Sequence, residues 1–313
     1  MTFSQTVKNE ILKSVRRIKS CCATSFLTAV IKGIGSLELT FGGFAFSVES
    51  DNHELLVFCK TIAEDHLGVG GEIESTNPNA KGTPVYSCTF QNNIGQKLGL
   101  CRRDKDGSIV LCEDITELLP KTECCKRAFL QGLVVACGSV VIPVADNDLG
   151  ENKSGAKYHM ELRFSDEDFA NAVKQLYEDI PFRLAHRKNC VILYLKDSEV
   201  IADTLVYLNA MSAKLKLENI IIGRSIRNTA NRQRNCISAN IDKSVNAGLR
   251  QTEAIELLKK KGLFDSLPQN LKDAAVVREQ NPDATLDEIA SKLGVSKSGA
   301  NHRLAKLTEL AER

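Results

Sequence analysis

The sequence predicts an α+β body built from two copies of one αββαββα unit related by pseudo-twofold symmetry, followed by an all-α helix-turn-helix domain. Three observations lead there. Residues 21–37, CCATSFLTAVIKGIGSL, and residues 124–140, CCKRAFLQGLVVACGSV, align without gaps at a spacing of 103, and self-similarity on that scale marks a duplicated unit. Each copy is followed by the same succession of strand-like and helix-like segments. Residues 285–310 carry the punctuation of two short helices joined by a tight turn.

The chain has 313 residues, long for one domain, with 43% hydrophobic and 26% charged residues, so packed cores and two or three domains are expected. No run of about eighteen apolar residues occurs, so no membrane insertion is expected. The first twenty residues carry charge throughout and lack the apolar stretch of a signal peptide, which predicts a cytoplasmic protein. The eleven cysteines include no C-x-x-C pair. The vicinal pairs Cys21-Cys22 and Cys124-Cys125 look like poor tetrahedral ligand sets, so the thiols are read as reduced and structural, with no metal and no cofactor expected. Net charge is +2, unevenly spread: residues 224–313 hold 16 Lys/Arg against 11 Asp/Glu, and residues 1–223 hold 25 against 28. A basic tail on a slightly acidic body fits a polyanionic partner for the tail.

In the first copy, residues 37–50 read as two strands turning at Gly42-Gly43. Residues 52–67 are helical, with Leu55, Leu56, Cys59, Ile62, Ala63 and Leu67 on one face. Residues 71–75 and 84–91 make a second strand pair. In the second copy, residues 139–144 and 158–164 are strands flanking a polar loop at 146–157. Residues 166–177 form a helix that Ser165 is placed to cap, 182–186 pairs with 191–196, and 200–210 is helical. The boundaries are a first repeat with an N-terminal helix at 1–103, a second repeat at 104–213, a basic linker at 214–243 and a helix-turn-helix domain at 244–313. Gly132, Ala136 and Gly138 in one repeat helix, with Ala29, Gly33 and Gly35 in the other, permit close backbone approach between the halves.

The linker carries Arg224, Arg227, Arg232, Arg234 and Lys243 among five asparagines, Asn235 included. Arginine and asparagine both donate to phosphate oxygens, so Arg224, Arg227, Arg232 and Asn235 are candidate DNA contacts; a polar connector touching nothing is the alternative. Helices are then read at 244–261, stopping at Gly262, and at 271–279.

In residues 285–310, Thr285 and Glu288 form a capping box. Leu286, Ile289 and Leu293 face inward, Ala290 admits a crossing helix, and Gly294 supplies the turn. Val295 plugs the core and Ser296 caps the next helix, which turns Ala300, Leu304 and Leu307 inward. The outward residues, Ser296, Lys297, Ser298, Asn301, His302, Arg303 and Lys306, are candidates for the major groove and its phosphates. Asn301 suits an adenine edge, and Lys297 a guanine or a phosphate. Solvated helix residues, or a protein-docking module, are the alternatives.

The residues LQGLVVACG (130–138) resemble the LAGLIDADG helix of homing endonucleases, two of which form the seam between halves. In active members an acidic residue before the final glycine binds a divalent metal; Ile34 and Cys137 stand there, and neither offers a hard oxygen ligand. The resemblance therefore implies a catalytically inactive body, not an enzyme. It also implies DNA contacts along the sheet surface, as in saddle-shaped endonuclease relatives. With FSQTVKNEI, the CC…GS repeat, NRQRNCISANIDKSVNA and VSKSGANHRL, the whole chain resembles the WhiA family of bacterial regulators. That resemblance implies a nucleoid-associated, sequence-specific DNA-binding regulator linked to cell division, chromosome segregation and, in sporulating lineages, sporulation gene transcription. Its partners would be double-stranded DNA and other transcription or division proteins, with the chain a monomer in solution. A division scaffold or a ligand sensor is the competing reading.

Overall fold

The structure, a computed structural model, describes residues 2–40, 43–78, 82–91, 93–112, 115–143 and 157–313. The chain folds as two units, Met1–Ile222 and Gly223–Arg313. The first unit opens with α1 (Phe3–Ser14), whose capping box joins Thr2 and Gln5 in both directions. The first repeat follows as α2 (Ser20–Ile34), β1 (Gly35–Thr40), β2 (Gly43–Ser50), α3 (His53–Leu67), β3 (Gly71–Thr76), β4 (Val85–Phe90) and the single turn α4 (Ile94–Lys97). A small hairpin, β5 (Cys101–Arg103) with β6 (Ile109–Leu111), and the turn α5 (Ile115–Leu118) lead into the second repeat. That repeat comprises α6 (Glu123–Cys137), β7 (Gly138–Val141), β8 (His159–Phe164), α7 (Glu167–Leu176), β9 (Arg183–Arg187), β10 (Cys190–Leu195) and α8 (Ser198–Tyr207).

The two antiparallel sheets have orders β1-β2-β4-β3 and β7-β8-β10-β9, the same order when equivalent strands are matched. Alternation along the strands sends Phe46, Val48, Cys88 and Phe90 in one sheet, and Met160, Leu162, Phe164 and Leu193 in the other, into a continuous core. Phe26, Leu27, Phe129 and Leu130 enter the same core from α2 and α6 and are fully buried. Each such side chain contributes about 1.5–3 kcal/mol of transfer free energy.

Two expectations for this unit change. The closing helix of the first half is only one turn long, because Gly95 sits under the Phe46 ring and Gly99 takes a left-handed φ of 74°. The cap of α7 is Asp166 and not Ser165: its carboxylate accepts from the N–H groups of Asp168 at 2.9 Å and Phe169 at 3.1 Å, so the helix starts one residue later. Gly42 and Val144, and all of the polar loop at 146–157 except Lys157, lie outside the described residues.

Helices α2 and α6 pack against each other along their length, equivalent residue against equivalent residue. A Cβ built on Gly132 would lie 2.9 Å from the Cβ of Ala29, its counterpart in the first repeat, and 2.7 Å from the Phe26 carbonyl oxygen. A Cβ on Gly33 would meet the Cβ of its counterpart Ala136 at 3.6 Å. Self-complementary contact of this kind is the signature of a twofold axis. The axis passes between the two helices, with their N-termini together at one end and their C-termini at the other.

The segment expected to be a linker, 214–243, is helical throughout. It lies inside α9 (Met211–Lys260), a single helix that begins 33 residues before the predicted start at Ser244. Gly262 ends it with a left-handed φ of 70°. In the second unit the C-terminal part of α9 packs with the 3₁₀ turn Phe264–Ser266, α10 (Gln269–Gln280), α11 (Leu286–Leu293) and α12 (Lys297–Glu312). Ile255, Leu258, Ala274, Ala275, Ile289, Ala300, Leu304 and Leu307 form its hydrophobic core. Arg278 is 2% exposed, and its Nη1 donates to the carbonyls of Asn281, Pro282 and Ala284 at 3.3, 3.4 and 2.7 Å. This guanidinium ties α10 to the turn that launches α11. Gly248 lets α9 approach the same turn, since a Cβ there would run into the Pro282 carbonyl.

Two stability measurements check these packing assignments. Gly132→Ala is expected to cost the first unit up to about 3 kcal/mol through overpacking, whereas Gly33→Ala, whose nearest contact would be 3.4 Å, costs well under half of that. Urea melts of the two variants measure the difference. Arg278→Met strands three carbonyls and is expected to destabilise the second unit by about 2–3 kcal/mol, seen as selective loss of its amide protection in hydrogen exchange.

Candidate nucleic-acid interface

The helix-turn-helix forms as its punctuation dictates. Thr285 and Glu288 close the capping box of α11: the Glu288 carboxylate accepts from the Thr285 N–H at 2.7 Å and from its hydroxyl at 2.9 Å. These hydrogen bonds hold the Glu288 carboxyl below the usual range. Gly294 turns the chain with φ 65° and ψ 31°. The Ser296 hydroxyl accepts from the Gly299 N–H at 3.2 Å and caps α12, so Ser296 serves the helix end first. Ala300, Leu304, Leu307 and Ala311 are buried at helical spacing, and they fix which side of α12 faces solvent.

At 100° per residue, Ser298, His302 and Ala305 point directly away from that buried line. Asn301 lies toward one flank and Arg303 about 160° around from it on the other. Asn301 and His302 are exposed and Arg303 is half-buried. One helix seated in a groove can therefore offer Ser298, Asn301 and His302 to base edges while Arg303 reaches a backbone. Two cations expected to face phosphate are engaged within the domain. The Lys297 ammonium lies 2.6 Å from the Asp287 carboxylate, and Lys306 lies 2.8 Å from Glu309, which also holds Arg313 at 2.7 Å. Lys306 holds the Glu309 carboxyl below its ordinary range. No acid occurs from 296 to 307, yet Asp287 from α11 and Glu309 one turn on supply counter-charges to this segment.

On α9, Arg224, Arg227, Arg232, Arg234, Asn235 and Lys243 occupy a helix and not an irregular strand of chain. Helical spacing sets them on one half of the circumference, over a length of about 28 Å. The opposite half carries Ile222, Ile226, Ile237 and Ile241, all exposed. Arg227, Arg232 and Asn235 are exposed, and Arg224 is half-buried.

The sheets of the first unit divide sharply by charge. Strand alternation puts Glu38, Glu49, Glu72 and Glu74 on the outer face of the β1-β2-β4-β3 sheet, all exposed, and no Lys or Arg joins them among the described residues of those strands. The outer face of the other sheet carries Arg163, Arg183 and Arg187, with Glu161 as its acid. The sheet surface expected to contact DNA is therefore unequal: one half bears arginines and the other carboxylates. The arginines were legible in principle, since period-2 alternation in RLAHR (183–187) points Arg183 and Arg187 the same way.

The resemblance to homing endonucleases would place a divalent ion at the C-terminal end of α2 and α6. Ile34, Ala136 and Cys137 line a groove there with Glu161 and Arg163. The Cys137 thiol donates to the Leu133 carbonyl at 3.3 Å, and burial pushes it up to about 11. Glu161 is buried and taken by Arg187 at 2.9 Å, His159 at 3.0 Å and Arg163 at 3.5 Å. Burial alone would raise its pKa, but these partners hold it below the ordinary carboxylate range. The Lys8 ammonium, pushed down by burial, is electrostatically coupled to Cys137. Neutral thiol, isoleucine, a fully engaged carboxylate and nearby cations do not fit a hard divalent ion. Sequence reasoning also missed that Cys21, Cys22, Cys124 and Cys125 converge at the other end of the same helices, with all four sulfurs within 4.8 Å of one another.

Among the described residues no helix is long and apolar enough to cross a membrane. The profile of the WhiA LAGLIDADG-like domain matches residues 126–227, and that of the WhiA C-terminal HTH domain matches residues 230–311. The whole chain aligns at 32% identity with 95% of the probable cell division protein WhiA of Caldicellulosiruptor saccharolyticus. It aligns at 31% identity with 98% of the protein of that name from Clostridium beijerinckii. The crystal structure of full-length DUF199/WhiA from Thermotoga maritima superposes on 100% of this chain and 99% of its own, with a TM-score of 0.59 at 21% identity, which shows a shared fold. By sequence over its full length, the chain belongs to the WhiA family.

Proposed function

We propose that this protein is a sequence-specific DNA-binding regulator whose reading element is α12, acting in cell division as the names of its relatives indicate for them. The observation that carries the reading is the outward face of α12: Ser298, Asn301 and His302 stand exposed on a helix whose cap, turn and core are complete. Asn301 pairs with an adenine edge, Ser298 and His302 contact neighbouring bases, and Arg303 and Lys306 reach the flanking phosphates. The helical cations of α9, Arg224, Arg227 and Arg232 with Asn235, add sequence-independent contacts to the backbone. In the first unit the β7-β8-β10-β9 sheet, through Arg183 and Arg187, contributes to phosphate binding. The groove beside Ile34 and Cys137 performs no phosphodiester cleavage, because its side chains do not suit a metal-bound nucleophile. The same reading extends, through the family resemblance, to nucleoid association, chromosome segregation and, in sporulating lineages, sporulation gene transcription.

Two binding measurements test this. Asn301→Ala is expected to reduce specific affinity by about 1–3 kcal/mol while leaving non-specific binding unchanged; equal affinity for target and scrambled duplex in the wild type would remove the assignment. Asp287→Asn releases Lys297 from its ion pair and is expected to tighten binding and steepen the log–log salt dependence by about 0.9. Arg183→Gln should make that slope shallower by the same increment if the second sheet touches phosphate. Fluorescence anisotropy titrations across a salt series read both.

A further inference from the structure

The end of the seam opposite the groove carries chemistry that DNA binding does not use. Cys21 and Cys22 are the second and third residues of α2, and Cys124 and Cys125 hold the same positions in α6. The pairs are equivalent under the 103-residue repeat, so the pseudo-twofold axis that brings Gly132 onto Ala29 also brings one pair onto the other. Their four sulfur atoms lie within 4.8 Å of one another, and Cys21 Sγ and Cys22 Sγ are 3.9 Å apart. In a tetrahedral site with metal–sulfur bonds of 2.3 Å the sulfurs are about 3.8 Å apart. One pair already has that separation, and the widest separation needs to shrink by only about 1 Å. Two vicinal pairs, each a poor ligand set alone, become a four-sulfur set once the axis joins them.

The positive ends of both helix dipoles meet here. The N-caps, Lys19 and Thr122, make no side-chain capping bond, and the Thr122 hydroxyl instead lies 3.5 Å from Cys124 Sγ, as an outer-shell donor would. Cys22 and Cys125 are buried, whereas Cys21 and Cys124 are exposed and leave an entry path.

We propose that Cys21, Cys22, Cys124 and Cys125 bind one soft divalent ion, Zn²⁺, as a structural clasp joining the two repeats at their axis. Binding forms four zinc–sulfur bonds and releases four protons, with no change of oxidation state, so affinity falls as pH falls. Four protein sulfurs close the coordination sphere, which makes the site structural and not catalytic.

The experiment uses the full-length chain, purified with reductant, stripped by chelator and titrated with Zn²⁺ and, as a spectroscopic probe, Co²⁺. The expected result is one ion per chain, the intense visible bands and sulfur charge-transfer absorption of tetrahedral Co²⁺, and a melting temperature raised by Zn²⁺. Cys21→Ser/Cys124→Ser should weaken Zn²⁺ binding beyond the roughly 100-fold that outer-shell losses reach, with an unchanged far-ultraviolet circular dichroism spectrum. Cys236→Ser, at an exposed thiol on α9, should bind as the wild type does. Cys21→His keeps a nitrogen ligand, and should hold tetrahedral Co²⁺ with weaker charge transfer even if the double variant folds poorly. Octahedral Co²⁺ spectra, or equal Zn²⁺ affinity in the double variant and the wild type, would overturn the proposal. So would a disulfide joining the two cysteine pairs that persists in reduced glutathione.

Discussion

The first unit depends on one steric constraint: two helices must approach until Gly132 meets Ala29 and the Phe26 carbonyl, leaving no space for a side chain at 132. Everything else in that unit is placed by this contact. It fixes the pseudo-twofold axis, and the axis places the two sheets as equivalents with the same strand order. It also decides which side chains gather at each end of the seam. Small residues and a thiol come together at the C-terminal end, and four thiols at the N-terminal end. A duplicated sequence can keep the axis while its two copies diverge, and the charges show that they have. The outer faces of the sheets are now acidic in one repeat and arginine-bearing in the other.

That divergence bears on function through electrostatics. Four glutamates on one sheet face repel a polyanion at short range, whereas Arg163, Arg183 and Arg187 on the other attract it, less the charge that Glu161 cancels. Within the helix-turn-helix the same accounting reduces the formal positive charge, because Lys297 and Lys306 each face a carboxylate. Affinity from charge alone is therefore modest on α12. Under the proposed reading, discrimination would rest on hydrogen-bonding side chains, Asn301 foremost.

The fold was readable where local chemistry and periodicity agreed. The Cys-Cys…Gly-Ser repeat exposed the duplication, and Thr285, Glu288, Gly294 and Ser296 marked the starts of both helices of the helix-turn-helix and the turn between them. The length of α9 was hidden because residues 224–243 are rich in asparagine, serine and arginine. Short polar side chains compete for backbone hydrogen bonds and read as connector, yet the segment continues a helix begun at Met211. Long-range geometry was hidden as well. Nothing in sequence spacing tells that Asp287 reaches Lys297, that Glu161 is claimed by three partners, or that cysteines 103 positions apart meet. Recognising the repeat and then applying its axis to Cys21 and Cys22 would have predicted that last meeting.

The claim on which the account stands is that α12 reads duplex DNA in the cell. Chromosome-wide occupancy of the wild-type protein, compared with the Asn301→Ala chain expressed at the same level, tests it most directly. The account predicts discrete occupied sites sharing a short sequence in the wild type, and a marked loss of occupancy at those sites relative to background in the variant. An occupancy pattern identical in the two proteins would contradict it.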